Sequence, residues 1–210
     1  MKGDTTYVEQ VMHHIDQLAP SDERALIAIG GPPASGKSTL AAQLHSSLNA
    51  REMPCGLIPM DGFHLDNHIL QERGLLSRKG APETFDVVGF KNLISTLNSE
   101  KDISVPLFDR DRDCVLRDAT HITAQQRHII IEGNYLFLND GPWRDLQSYW
   151  SLSVFISPPI NLLETRLIQR WIEQGLDRTA AERRAKTNDI PNANLILSQS
   201  NMHLIDVLLD

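Results

Sequence analysis

Residues 31–38 read Gly-Pro-Pro-Ala-Ser-Gly-Lys-Ser and fit the pattern G-x-x-x-x-G-K-[ST] without a mismatch. The glycines let the chain wrap so that successive backbone N–H groups point inward, a concavity suited to phosphate oxygens. The pattern carries that meaning only where it joins a strand to a helix. Both flanks comply. Residues 24–30, RALIAIG, are a short apolar run that suits a buried central strand. Residues 37–48 place Leu40, Ala41, Leu44 and Leu48 on one helical face. The N-terminus of that helix adds its positive dipole to the loop. In such a cradle Gly31, Pro32, Ala34, Ser35 and Gly36 surround the phosphates. Lys37 bridges the β- and γ-phosphates, Ser38 ligates Mg²⁺, and Thr39 caps the helix or touches the α-phosphate. ATP and Mg²⁺ are the ligands these residues imply.

The rest of the chain repeats the alternation of strand and helix. A helix over 5–18 ends before Pro20, and a strand over 54–60 ends at Asp61-Gly62. A helix over 87–97 follows, then a third strand over 103–108, where Pro106 marks an edge or an irregular end. Strands at 128–132 and 150–157 precede a long helix from Pro158-Pro159 to about Gly175. A short helix over 191–199 and a strand over 203–209 close the chain. The pattern predicts an α/β fold of the P-loop NTPase type: a doubly wound, mostly parallel sheet with helices on both faces. At 210 residues a single P-loop domain is expected over 1–210. Residues 164–186 hold five Arg and one Lys against four acids, and 178–187 is polar and arginine-rich. A small arginine-rich lid is therefore expected at about 175–187, since a segment that carries arginines over a transferring phosphoryl group excludes water and offsets charge.

The net charge of −7 argues against a nucleic-acid partner, which calls for a basic footprint. No stretch approaches the ~20 apolar residues of a membrane span. The opening MKGDTTYVEQ lacks the apolar centre of a secretory signal. Cys55 and Cys114 stand far apart in no metal spacing, and each reads as a buried thiol in a reducing compartment. A cytoplasmic protein is expected. G proteins read their base with N-K-x-D and transporter ATPases carry an LSGGQ-type signature; both motifs are absent. A small phosphotransferase or a stand-alone ATPase remains.

In open α/β sheets ligands sit beyond the carboxyl ends of the strands. Asp61, in MDGFHLDN, and Glu132, in HIIIEGN, fall there. One such carboxylate can take the proton of an attacking hydroxyl; another can help hold Mg²⁺. Asp109-Arg110-Asp111-Arg112-Asp113 begins like a calcium loop, but Cys114 and Thr120 replace the required Gly and Glu. Asp109 and Arg110 are instead placed to reach a bound substrate. His64 and His68 stand four apart with no third ligand nearby, so His64 reads as a pocket residue rather than half of a metal pair. Arg166 and Arg170 lie four apart on the long helix, at the edge of its apolar stripe; Arg170 is the favoured lid arginine, ahead of Arg178 and Arg166.

The runs GGPPASGKST, MDGFHLDN, ERGLLSRKGAPETFDV, VPLFDRDRD and IIIEGNYL together resemble the uridine kinase, phosphoribulokinase and bacterial pantothenate kinase superfamily, and within it the bacterial nucleoside-kinase-like proteins labelled fructose transport system kinase. The resemblance covers about residues 22–210, and the run 61–86 is its most specific part. It implies that Asp61 is the catalytic carboxylate, that Glu132 is the acid near the metal, and that Arg170, with Arg178 as a looser match, reaches from the lid. It also implies that Arg78, Lys79 and Phe85 line the acceptor pocket. The expected function is an ATP-dependent small-molecule kinase with a sugar, nucleoside or similar metabolite as acceptor. The alternative is a regulatory ATPase whose nucleotide state controls a protein partner. Whether the chain forms a homodimer stays open.

Overall fold

The structure, a computed structural model, describes residues 3–210. Met1 and Lys2, the start of the stretch read as carrying no secretory signal, lie outside the described residues. The elements run α1 (Gly3–Asp16), β1 (Ala25–Gly30), α2 (Lys37–Ala50), β2 (Cys55–Pro59), α3 (Asn67–Glu72), α4 (Val87–Thr96), β3 (Ile103–Asp109), β4 (Cys114–Ile122), β5 (His128–Gly133), β6 (Leu152–Ile156), α5 (Ile160–Glu173), α6 (Arg178–Arg184), α7 (Ile190–Gln199) and β7 (Val207–Leu209). Five strands form one parallel sheet in the order β2-β5-β1-β6-β7.

Strand β1 is central because both of its faces are apolar. Leu26 and Ala28 enter one core with Phe90, Tyr135 and Phe155. Ile27 and Ile29 enter the other with Val11 of α1 and Leu40 and Leu44 of α2. This is the period of two expected of a strand covered on both sides. All strands of the sheet point the same way, so the segments after β1, β2 and β5 emerge together at one edge. The phosphate loop, Asp61 and Glu132 are gathered by that arrangement.

Residues 103–108 do not join this sheet. They form β3, which pairs antiparallel with β4 in a separate two-stranded hairpin whose register shifts between Val105 and Leu107. Pro106, which offers no N–H, sits at that irregularity. Its partner β4 was not expected from the sequence, because most of its residues are exposed and no apolar alternation marks them. Cys114, expected to be buried, is half-buried at the start of β4, while Cys55 is buried in β2.

The arginine-rich segment is helical throughout. A π turn at Ala185–Asp189 joins α6 to α7, making one arm beside α5. Ile196 of α7 anchors it in the main core, and its other buried anchors are small residues that carry no strong apolar signal. Ala185 and Ala193 are buried against Leu163 and Leu167 of α5, and Ala181 is buried as well.

Candidate active site

A cavity of about 1090 Å³ runs along the carboxyl edge of the sheet, from the phosphate loop to the β3–β4 hairpin. At one end, Gly36 stands at φ 104° as the residue that starts α2, a left-handed conformation that costs a side-chain-bearing residue dearly. Arg166 of α5 lines the same cavity and braces the loop, donating to the carbonyls of Ala34 (3.2 Å) and Ser35 (3.4 Å). Lys37 and Glu132 are both buried. Burial pushes the Lys37 ammonium down and the Glu132 carboxyl up, and each is partly held back by the other's charge. Ser38 lines the cavity with Glu132 and also favours its charged form. The Ser35 hydroxyl is buried with no hydrogen-bond partner among the described residues.

These residues fit Mg²⁺·ATP. The loop leaves an unpaired buried hydroxyl and buried positive charge at a helix N-terminus, which a phosphate chain satisfies. One hydroxyl and one carboxylate suit Mg²⁺, which keeps water and phosphate for its other positions. Among the described residues, no group of three or more His, Cys, Asp or Glu is placed to hold a metal alone.

Asp61 sits in a 3-10 turn, Met60–Phe63, directly after β2. Gly62 in that turn lies so close to the hairpin that a Cβ there would run into the Pro106 carbonyl. The hairpin thus sets the height of Asp61. It also supplies the partner: Arg110 Nη2 donates to Asp61 Oδ2 at 2.6 Å. Beside them the His64 imidazole stacks against Phe85 and Phe108, with its Nδ1 2.8 Å from the Asp61 carbonyl. Burial lowers its pKa, with the Asp61 charge opposing. Lys79 lies over the Phe108 ring and donates to Asn67 and to Asp113, each at 2.7 Å. Burial alone would raise the Asp113 carboxyl, but the Lys79 and Asn67 hydrogen bonds outweigh it and pull the pKa down.

The arm closes the third side. Trp171 Nε1 donates to Asp189 at 2.6 Å, and Arg170 and Arg184 both lie over the Trp171 ring. Arg170 Nη2 is 3.6 Å from Asp189, and its Nε is buried with no hydrogen-bond partner among the described residues. Burial raises the Asp189 carboxyl, opposed by the Trp171 hydrogen bond. Arg184 and Asn188 then reach across to the carbonyls of Ser77 and Lys79.

The structure brings Ala34, Ser35, Gly36, Lys37, Ser38 and Thr39 to the cavity, together with Asp61, His64, Lys79, Phe85, Arg110, Glu132 and Arg170. Gly31 and Pro32 are buried in the loop but do not line the cavity. Three further candidates are not brought there. Arg78 pairs with Glu83 on the surface. Asp109 is spent locally, accepting from the backbone N–H groups of Asp111 and Arg112. Arg178 is 79% exposed and pairs with Glu182 one helical turn away. His64 precedes α3 while His68 is exposed on it, so the two are not neighbours on one helix. Asn67, Phe108, Asp113, Trp171, Arg184 and Asp189 also line the cavity. Sequence reasoning passed over Asp113 as part of a charge run and Trp171 as a member of an apolar stripe.

Residues 26–193 match the Phosphoribulokinase / Uridine kinase family. An uncharacterized protein of Escherichia coli K12 is 38% identical over 191 residues, which cover 88% of this chain and 77% of that protein. A Schizosaccharomyces pombe protein provisionally named a uridine kinase is 30% identical over 98% of this chain and 91% of its own length. The crystal structure of a Silicibacter sp. TM1040 protein, provisionally named a fructose transport system kinase, superposes with a TM-score of 0.91 at 42% identity and covers 97% of this chain and 98% of that one. The chain belongs to the phosphoribulokinase and uridine kinase family, and it is a phosphotransferase that acts on an alcohol group.

Proposed function

We propose that the protein transfers the γ-phosphoryl group of ATP to a hydroxyl of a small polar metabolite, with Asp61 as general base. One observation carries this reading: a single cavity joins the phosphate loop to Asp61 and continues to a polar and aromatic recess around Lys79, Phe85 and Phe108. It has room for both substrates at once, which a hydrolase needs less.

The roles follow from position. The loop amides, Lys37 and Arg166, through its grip on the loop, fix the triphosphate. Ser38 and Glu132 are the residues that would hold Mg²⁺, which when bound offsets charge on the β- and γ-phosphates. Asp61 orients the acceptor hydroxyl and takes its proton as the oxygen bonds to the γ-phosphorus and the bridging oxygen leaves with ADP. Arg170 meets the charge on the transferring group. The α6–α7 arm serves as the lid over this site, within one domain over 1–210, and the protein works in the cytoplasm, where ATP is abundant and its two thiols stay reduced.

A screen of ADP release over hydroxyl-bearing metabolites, with Lys37→Ala as the blank, tests the reading. Acceptor-dependent ADP release is expected. Release that no acceptor stimulates would reassign the protein to the ATPases.

A further inference from the structure

The acceptor end of the cavity has one option closed and another left open. The aromatic slot is closed. The His64 imidazole sits between Phe85 and Phe108, with ring centroids 4.1 and 4.6 Å away. Phe85 backs edge-on against Tyr135 and Trp143. A flat base would need the space that the imidazole fills, and the bond from Nδ1 to the Asp61 carbonyl holds the ring there.

The open option is cationic. Lys79 is only 12% exposed and already paired with Asp113 and Asn67. Arg110 differs. Its side chain is 60% exposed, and its sole hydrogen bond among the described residues is the one to Asp61 Oδ2. A guanidinium offers five N–H donors in a fixed plane, so most of its donors remain unused beside the carboxylate that must meet the acceptor. Asp61 keeps its second oxygen for a hydroxyl. Six cationic side chains line the cavity against four acidic ones, in a chain of net charge −7.

Resting on the phosphotransferase reading, we propose that the acceptor is a small polyol that bears a carboxylate or a phosphate close to the hydroxyl that is phosphorylated, and that Arg110 binds this anion. A planar two-pronged contact from Arg110 fixes the acceptor relative to Asp61, and a nucleoside is disfavoured because the His64 imidazole fills the space beside Phe85 and Phe108 that its base would need.

The test compares matched acceptors with the full chain and Mg²⁺·ATP: glycerol with glycerate and glycerol 3-phosphate, ribose with ribonate and ribose 5-phosphate, and uridine. An anionic member should exceed its neutral partner in kcat/KM by roughly 10–100-fold, the span of a hydrogen bond to a charged group. The carboxylate and phosphate arms show which anion is read. Arg110→Gln should bring the ratio close to one, and Arg110→Lys should keep part of it. Because each ratio is taken within one variant, any change in Asp61 itself cancels. Uridine or a neutral polyol matching the anions would overturn the proposal, as would a ratio that survives Arg110→Gln. Calorimetry with a non-hydrolysable ATP analogue reads binding alone. Anion binding lost in Arg110→Gln, with no ADP formed from any acceptor, would keep Arg110 as an anion site but overturn both the phosphotransferase reading and the claim that the anion is part of an acceptor. Anions that bind no better than their neutral partners would sink the proposal.

Discussion

The two ends of the cavity are built by different means. The nucleotide end comes from one short run, residues 31–39, and works largely through backbone N–H groups and a helix terminus. The acceptor end is drawn from three separate segments, around Asp61, Lys79 and Phe108, and works through side chains that neutralise or stack on one another. Phosphate recognition is a local property of the chain, set once a strand, a glycine and a helix follow in order. Acceptor selection is a tertiary property that depends on how the hairpin and the arm pack against the sheet edge.

The sharpest way to break this division is Asp61→Asn. The side chain keeps its size but takes no proton, so kcat should fall by about 10²–10⁴-fold. Affinity for an ATP analogue should hardly change, because the loop carries that binding. Calorimetry beside acceptor-dependent turnover checks both halves, and lost nucleotide binding would erase the distinction between the two ends. Lys37→Ala probes the other end. A fall in turnover of roughly 10²–10³-fold is expected, the usual loss for one electrostatic stabiliser; near-normal transfer by the folded variant would remove Lys37 from the mechanism.

A smaller effect is expected from Trp171→Phe, which deletes the N–H that Asp189 accepts and weakens the seat of Arg170. Turnover should drop by about 10-fold. Hydrogen exchange over residues 178–199 should rise in the variant and fall again with nucleotide. Equal protection in every state would detach the arm from the site. The smallest effect concerns His64. Burial holds its imidazole pKa below the ordinary value of about 6.5, so the unfolded chain takes up the proton first. The stability present above about pH 6.5 is then lost as the pH falls through the folded value. His64→Phe should flatten part of the decline in Tm between pH 7 and 5, leaving the share due to His128, which is shifted the same way. An unchanged slope would mean that the stack does not hold the ring neutral.

The same division explains what could be read in advance. Strand β1, the loop and α2 show in the sequence because each rests on its own residues: an apolar run, two glycines and a helical face. Asp61 and Glu132 were legible because they end apolar runs. Strand β3 was legible as a strand, but its partner was not, since β4 is mostly exposed and offers no apolar alternation to detect, so the hairpin went unread. Asp109 and Arg110 are adjacent in a run of alternating charge, yet one folds back on its own turn and the other reaches across to Asp61. Nothing in their order distinguishes them; the turn geometry does. The arm was legible in its charge and in the apolar α7 but not in its small anchors, because Ala181 and Ala185 are small enough to hide in a polar segment.

Arg184 and Asn188 hold the chain at residues 77–79 by its carbonyl oxygens, not by its side chains. Main-chain oxygens are the same whatever residue carries them. Mutation can therefore exchange the side chains of this stretch, Ser77 and Arg78 among them, without unfastening the arm. An enzyme made this way can drift toward a new acceptor in single steps, with every intermediate still able to shut.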